Sequence, residues 1–334
     1  MNRFYYWIIA VNLAVVNGAA GKEEPLVQQI RSAVQHEAFT VNALVQSGFR
    51  YSLGDDNFQG GRTFEAANAR LSFRGNLDGG FFYRLFFNLV KEPNLLDAYI
   101  GYRFSDALRI TTGAMKPKQT LDFIPDPGSM DFIDRTHITD LLVQSREIGV
   151  SFEGDVGGLY YFSGIFNGNK LSSNNNNEFY GIGRLQYTLG DLQLAVQGSH
   201  GNSPGVQTGN AGPVLQGKRT IYGGDVRLKA ERLLLAAEYL AGSLDLDSTA
   251  GSDKKDLISG YYITAGYRIL EKTMLLSRWQ SWGYREQDFR DHQVTFGINH
   301  NFTGVTRLQL NADAYFPEKS DRQYGLSLLL QVQF

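Results

Sequence analysis

Along most of this chain, apolar and polar side chains alternate with a period of two, over segments longer than a soluble sheet ordinarily uses. Val41, Ala43, Val45, Phe49 and Tyr51 alternate with Asn42, Leu44, Gln46, Gly48 and Arg50. Ala67, Ala69, Leu71 and Phe73 alternate with Asn68, Arg70, Ser72 and Arg74, and Leu308, Leu310, Ala312 and Ala314 with Arg307, Gln309, Asn311 and Asp313. Successive side chains of a strand point to opposite faces, so each such run has one wet face and one apolar face. The segments run to about 10 to 14 residues, whereas soluble strands cluster near 5 or 6 and tilted strands crossing a bilayer need about 9 to 11. The pattern predicts an all-β fold, a transmembrane antiparallel β-barrel.

The connections carry a second rhythm. Very short turns are expected at 78–80, 105–107, 154–158, 190–191, 231–232, 271–272 and 303–304. Between them fall longer polar loops at 54–61, 117–142, 169–178, 201–218, 243–256, 283–291 and 317–322, with 91–94 the one brief member. Short periplasmic turns alternating with long outer loops characterise outer-membrane barrels, and the count comes to about sixteen strands, an even number as bacterial single-chain barrels have. Composition agrees: 37 Gly, 22 Phe and 18 Tyr against 8 Pro suit many strands and tight turns. Cysteine is absent, which excludes disulfides, Cys-ligated metal and a thiol nucleophile. A formal charge of -2 lacks the basic excess of a nucleic-acid partner.

The ends fit export. Arg3, the apolar stretch Phe4 to Val16 interrupted by Asn12, and the small residues Gly18, Ala19 and Ala20 predict a signal peptide over 1–20. Residues 21–38 do not alternate. Leu26, Ile30, Ala33 and Val34 fall near helical spacing, so a periplasmic leader with a short helix is expected before a barrel over 39–334. At the other end Tyr324, Leu326, Leu328, Leu330, Val332 and Phe334 form one apolar face. A last strand ending in Phe resembles the signal read by the outer-membrane assembly machinery, which with outer-membrane lipid makes the expected partners.

If apolar side chains face lipid, the polar register faces the lumen. That register holds Arg50, Arg70, Arg74, Arg84, Arg103, Arg109, Arg184, Arg227, Arg268, Arg278 and Arg307, against Asp97, Glu147, Glu153, Asp225, Glu238 and Asp313. Arginine keeps its charge at any relevant pH, and its planar fork takes phosphate or carboxylate through two hydrogen bonds. A surplus of fixed positive charge lowers the entry barrier for anions, so small anionic solutes are the expected cargo. A slip of one residue in register would invert this assignment. The loop 117–142 is the longest. It mixes Asp122, Asp126, Asp131, Asp134 and Asp140 with Lys118, Arg135 and His137, next to Lys116, and carries apolar Phe123, Ile124, Phe132 and Ile133. An apolar-bearing loop packs against something, and folding inward to narrow the pore would put its charges at a constriction.

The order Thr112-Gly-Ala-Met-Lys116-Pro, Phe132-Ile-Asp-Arg135, Ser145-Arg-Glu-Ile-Gly149-Val and Gly164-Ile-Phe-Asn-Gly168 resembles the phosphate-selective porin O and P family. The resemblance implies a sixteen-stranded barrel, usually a homotrimer, with an arginine-lined lumen and a lysine-bearing constriction. It carries that role to Lys116, Lys118 and Arg135. The five aspartates of the same loop depart from that pattern, because unpaired carboxylates repel phosphate.

No catalytic residue, cofactor or metal is expected. Asp245, Asp247, Asp253 and Asp256 crowd one loop without EF-hand spacing. His36, His137, His200, His292 and His300 lack paired ligand spacing. Ser199 and His200 are adjacent, so on a strand they point to opposite faces, which argues against a hydrolase dyad. A non-specific diffusion porin, an adhesin barrel and a barrel hydrolase are the alternatives.

Overall fold

The computed structural model describes residues 35–54, 58–143, 146–246 and 254–334, apart from the side chains of 35, 36 and 254. The expected signal peptide and residues 21–34 of the leader lie outside the described residues, as do Asp247 and Asp253. Among the described residues sixteen long strands follow one another around a single sheet. They are β1 Phe39–Leu53, β2 Thr63–Asn76, β3 Phe81–Asn88, β4 Leu95–Ser105, β5 Leu108–Met115, β6 Glu147–Val156, β7 Leu159–Phe166 and β8 Tyr180–Leu189. The second half comprises β9 Leu192–Asn202, β10 Leu215–Lys229, β11 Leu233–Leu246, β12 Lys254–Leu270, β13 Thr273–Tyr284, β14 Phe289–Asn301, β15 Thr306–Phe316 and β16 Gln323–Gln333. Each strand pairs antiparallel with the next, and β16 returns to β1 with Leu328 opposite Phe49. Closure leaves no unpaired edge, which the hydrocarbon core of a bilayer demands of any sheet that spans it.

Burial follows the alternation. In β1, Gln46 and Ser52 are buried inside while Val45 and Leu53 stand outside. Phe64, Val196 and Phe296 belong to the same outer apolar surface. Near one rim Phe81, Tyr102 and Phe104 stack edge to face at 4.8 and 4.6 Å, as interfacial aromatics do.

Several local expectations need correction. Ala67 does not face lipid. The pairing of β1 with β2 shifts between Gln46 and Ser47, and the bulged Ala67 is buried. The bulge lets Phe64 face outward and Glu65 inward, opposite Phe49 and Gly48. The turn expected over 154–158 is tighter, since β6 runs to Val156 and Gly157-Gly158 make the reversal with φ of 61° and 85°. The connection expected over 201–218 is shorter, because β9 extends to Asn202 and β10 begins at Leu215. Strand length is more varied than expected, from the 8 residues of β3 to the 17 of β12. At the end of the leader, Gln35 and His36 pair back onto Thr40 and Phe39 in a tight reversal, while the helix expected around Leu26 to Val34 lies outside the described residues.

The connection between β5 and β6, described over residues 116–143 and at Arg146, turns into the barrel instead of away from it. It carries the one α-helix among the described residues, α1 His137–Leu142. Ile138, Leu141, Leu142 and Val143 pack with Phe123 against Leu215, Ile221, Leu240, Leu244, Ile258 and Trp282 of the inner wall. The wall is hollowed to receive them. A Cβ on Gly242 would lie 2.6 Å from Leu142 Cδ2, and one on Gly260 would lie 3.1 Å from Ile138 Cβ. Polar alternation alone would put water there; the helix puts an apolar core inside one side of the barrel.

Candidate functional site

The inward loop crosses the whole lumen, and the inner face of the barrel supplies its hydrogen bonds. A loop buried away from water must satisfy its backbone polar groups. Glu238 on β11 accepts from the backbone N–H groups of Leu121 at 2.9 Å and Asp122 at 3.2 Å. Gln280 on β13 accepts from His137 N at 2.8 Å. Arg278 on β13 donates to the Asp134 carbonyl, Arg307 on β15 to the Met130 carbonyl at 2.9 Å, and Asn299 on β14 to the Asp131 carbonyl at 2.8 Å. Gln331 on β16 reaches the Gly128 carbonyl at 3.1 Å. The chain passes so close to the wall at Gly128 that a Cβ there would displace the side-chain amide of Gln333.

The acidic residues of the loop are held by partners. Asp134 makes a two-pronged ion pair with Arg50 of β1, at 2.7 and 2.9 Å. Asp131 pairs with Arg227 of β10 at 3.4 Å. Asp126 lies 3.4 Å from both Arg84 of β3 and Lys116. Burial alone would raise the Asp126 carboxyl, but Lys116, Arg84 and Arg146 outweigh it and hold it below the usual carboxylate range. Asp122 accepts from the backbone N–H and hydroxyl of Thr136 at 2.8 and 3.0 Å, shaping the turn into α1. The repulsion that unpaired loop carboxylates would exert on an anion is thereby reduced.

The three basic residues expected at the constriction differ in what they do. Lys116 donates to the carbonyls of Ile124 at 3.1 Å and Pro125 at 2.9 Å, and its ammonium lies over the Phe123 ring. Burial, and then the neighbouring Arg135, push this ammonium well below the usual lysine range. Arg135 donates to the carbonyls of Asp122 and Pro125 and covers the same Phe123 ring at 5.3 Å. Both therefore brace the loop. Lys118 makes no ion pair among the described residues and lines a cavity of 250 Å³ below the first leg of the loop.

The wall arginines divide likewise. Arg109 pairs with Glu153, and Arg184 with Asp225 at 2.6 Å. Arg278 lies over Phe132 at 4.4 Å. Arg70, Arg74, Arg103 and Arg268 have no ion pair among the described residues. Arg103 and Lys118 line the 250 Å³ cavity together with Arg84, Arg109 and Lys116, facing Asp97, Asp126 and Glu153. Arg268 and Arg307 line a separate hollow of 450 Å³ near the short-turn rim.

Sequence reasoning missed Arg146, Arg219 and Phe86. Arg146 ends the inward loop and meets Asp97 at 3.0 Å. Arg219 stacks on Tyr180 at 3.6 Å beside Glu147. The inward register of β3 (Phe82, Arg84, Phe86, Asn88) was the available signal for Phe86. Ser199 is tied inside to Gln119 at 2.8 Å, whereas His200 meets Thr220 at 2.8 Å from the opposite face of β9, so the two form no dyad.

The family model for the phosphate-selective porin O and P matches residues 39–315, most of the chain. The chain belongs to this family. It is an outer-membrane porin. Solved structures share the fold at low identity. An anion-selective porin from Comamonas acidovorans is 14% identical, with a TM-score of 0.69 over 89% of this chain and 99% of that one. The trimer form of in-vitro folded OmpT, an outer membrane protein of Vibrio cholerae, is 11% identical, with a TM-score of 0.65 over 89% of this chain and 100% of that one. Salmonella typhi OmpF in complex with daunomycin is 10% identical, with a TM-score of 0.64 over 89% of this chain and 97% of that one. Among curated proteins none matches the sequence.

In this porin the loop also carries a titrating group. Burial, and then the charge of Asp122, push Asp140 of α1 up to about 6, from an ordinary value of 3.8. A carboxyl raised on docking favours the docked loop while it is neutral. That contribution is fully present below pH 3.8 and is lost as pH rises through about 6. Between pH 7 and pH 5 the open-channel current noise should therefore fall as the loop docks more tightly. Asp140→Asn should remove this pH dependence; a variant that keeps the wild-type pH profile would take Asp140 out of the effect.

Proposed function

We propose that this porin passes small anionic solutes by passive diffusion and favours phosphate-bearing ones, its constriction being the inward loop and the wall that faces it. The reading rests chiefly on the charge around the 250 Å³ cavity. Arg84, Arg103, Arg109 and Lys118 there outnumber Asp97, Asp126 and Glu153. Fixed cations along a narrow aqueous path replace part of an anion's hydration and repel cations. Forked guanidinium groups add a preference for phosphate over a halide, since they meet its oxygens in pairs. The Comamonas acidovorans porin of the same fold is anion-selective, and the Vibrio cholerae protein forms a trimer. We extend both properties to this chain, as an anion-favouring channel and a homotrimer.

A general diffusion porin is the second reading. It draws on the ion pairs of Arg50, Arg109, Arg184 and Arg227, which cancel much of the fixed charge. Reversal potential in a potassium chloride gradient separates the two. The anion reading expects chloride to permeate ahead of potassium, and added phosphate to lower the chloride current. Equal permeabilities favour general diffusion, and preference for potassium overturns the anion reading.

A further inference from the structure

Phe86 is an aromatic residue on the inner face of a channel wall, buried and bearing no charge. Three guanidinium groups surround its ring. Arg84 lies 4.3 Å from the centroid, and Arg70 and Arg146 each lie 5.7 Å from it. They come from β2, β3 and the end of the inward loop, and the register brings them together. Phe86 stands opposite Ser72 on β2, and Asp97 on β4 is its other neighbour. The small Ser72 leaves room for Arg84, whose Nε reaches its hydroxyl at 3.3 Å. Asp97 binds Arg84 at 3.2 Å and Arg146 at 3.0 Å through its two oxygens. Arg70 has no carboxylate pair among the described residues, and Arg146, itself buried, has an Nη2 with no hydrogen-bond partner there.

Three like charges this close repel, and the two carboxylates beside them, Asp97 and Asp126 at 3.4 Å from Arg84, leave the group with a net positive charge. The negative face of an aromatic ring attracts guanidinium groups without removing their charge or occupying their forward-facing N–H groups. We propose that Phe86 is a positioning residue of the channel: its ring gathers Arg70, Arg84 and Arg146 into one cationic cluster that sets the preference for anions. This rests on the anion-favouring reading above. An aliphatic side chain of similar size fills the space but leaves the arginines to spread apart.

The test compares the wild-type porin with Phe86→Leu and Phe86→Tyr, each reconstituted as the full chain in planar bilayers. Heat-modifiable gel mobility reports an intact barrel. Phe86→Leu should raise the phosphate concentration that halves the chloride current by about five- to tenfold and lower chloride selectivity, while Phe86→Tyr, which keeps the ring, stays within about twofold of wild type. A merely structural role would move both variants alike, or move barrel integrity with them, and so overturn the proposal. An anion-preferring wild type with an unaltered Phe86→Leu channel would remove Phe86 alone. A wild type without anion preference would remove the functional reading itself and this inference with it.

Discussion

Leu142→Asp should leave the barrel standing and open the constriction. Leu142 is fully buried at the centre of the apolar cluster that fixes α1 inside the wall. Truncating a buried leucine to alanine costs about 2–5 kcal/mol, and an unpaired carboxylate in the same place adds several kcal/mol more. That cost has to fall on one of two structures. The strand ladder closes continuously from β1 through β16, and none of its pairings passes through α1. The helix, by contrast, keeps its place through side-chain packing and a few polar contacts such as Gln280 with His137. The loop should therefore undock before the barrel opens. The expected result is a severalfold larger single-channel conductance, weaker ion selectivity and unchanged heat-modifiable mobility, with Leu142→Met close to wild type. A folded Leu142→Asp barrel of unaltered conductance would mean that the loop does not limit the pore.

The second large effect concerns the sign of selectivity. Arg70 and Lys118 have no ion pair among the described residues, so reversing them breaks no salt bridge there. Each substitution to Glu changes the local charge by two units. A unit charge about 8 Å from a passing ion in water is worth about 0.5 kcal/mol, so Arg70→Glu with Lys118→Glu should shift the barrier for a monovalent ion by about 2 kcal/mol before screening. Salt reduces this, so the measurement belongs near 0.1 M or below, where the Debye length is about 10 Å or more. Reversal potential should cross from chloride preference to potassium preference. A double variant that still prefers chloride would place the governing charge elsewhere. Neutralising Lys116 or Arg135 is a poorer test, because both hold carbonyls of the loop and their loss disturbs its path as well as its charge.

Some of the site could be read from the chain and some could not. The inward orientation of Arg50, Arg184 or Arg227 follows from strand parity once the apolar face is assigned to lipid. Ala67 escaped that logic because a bulge shifts parity by one residue, and neither alanine nor its neighbours mark the place. Arg146 escaped it because it sits on the loop just before β6, where no period applies. The apolar residues of the loop, Phe123 and Phe132 among them, did signal packing, but not the wall that receives them.

By itself the sequence determined a closed sixteen-stranded wall with an apolar outside and a charged inside. Side-chain alternation along a strand is local, and a bilayer leaves a sheet no stable arrangement other than a ring. Only the tertiary structure decided which of the inner charges face a solute and which are paired. Arg50 meets Asp134 across 84 residues and Arg307 meets Met130 across 177, through a loop that crosses the lumen. Pairings at such separation depend on where the loop lies in three dimensions, and no repeat along the chain encodes it.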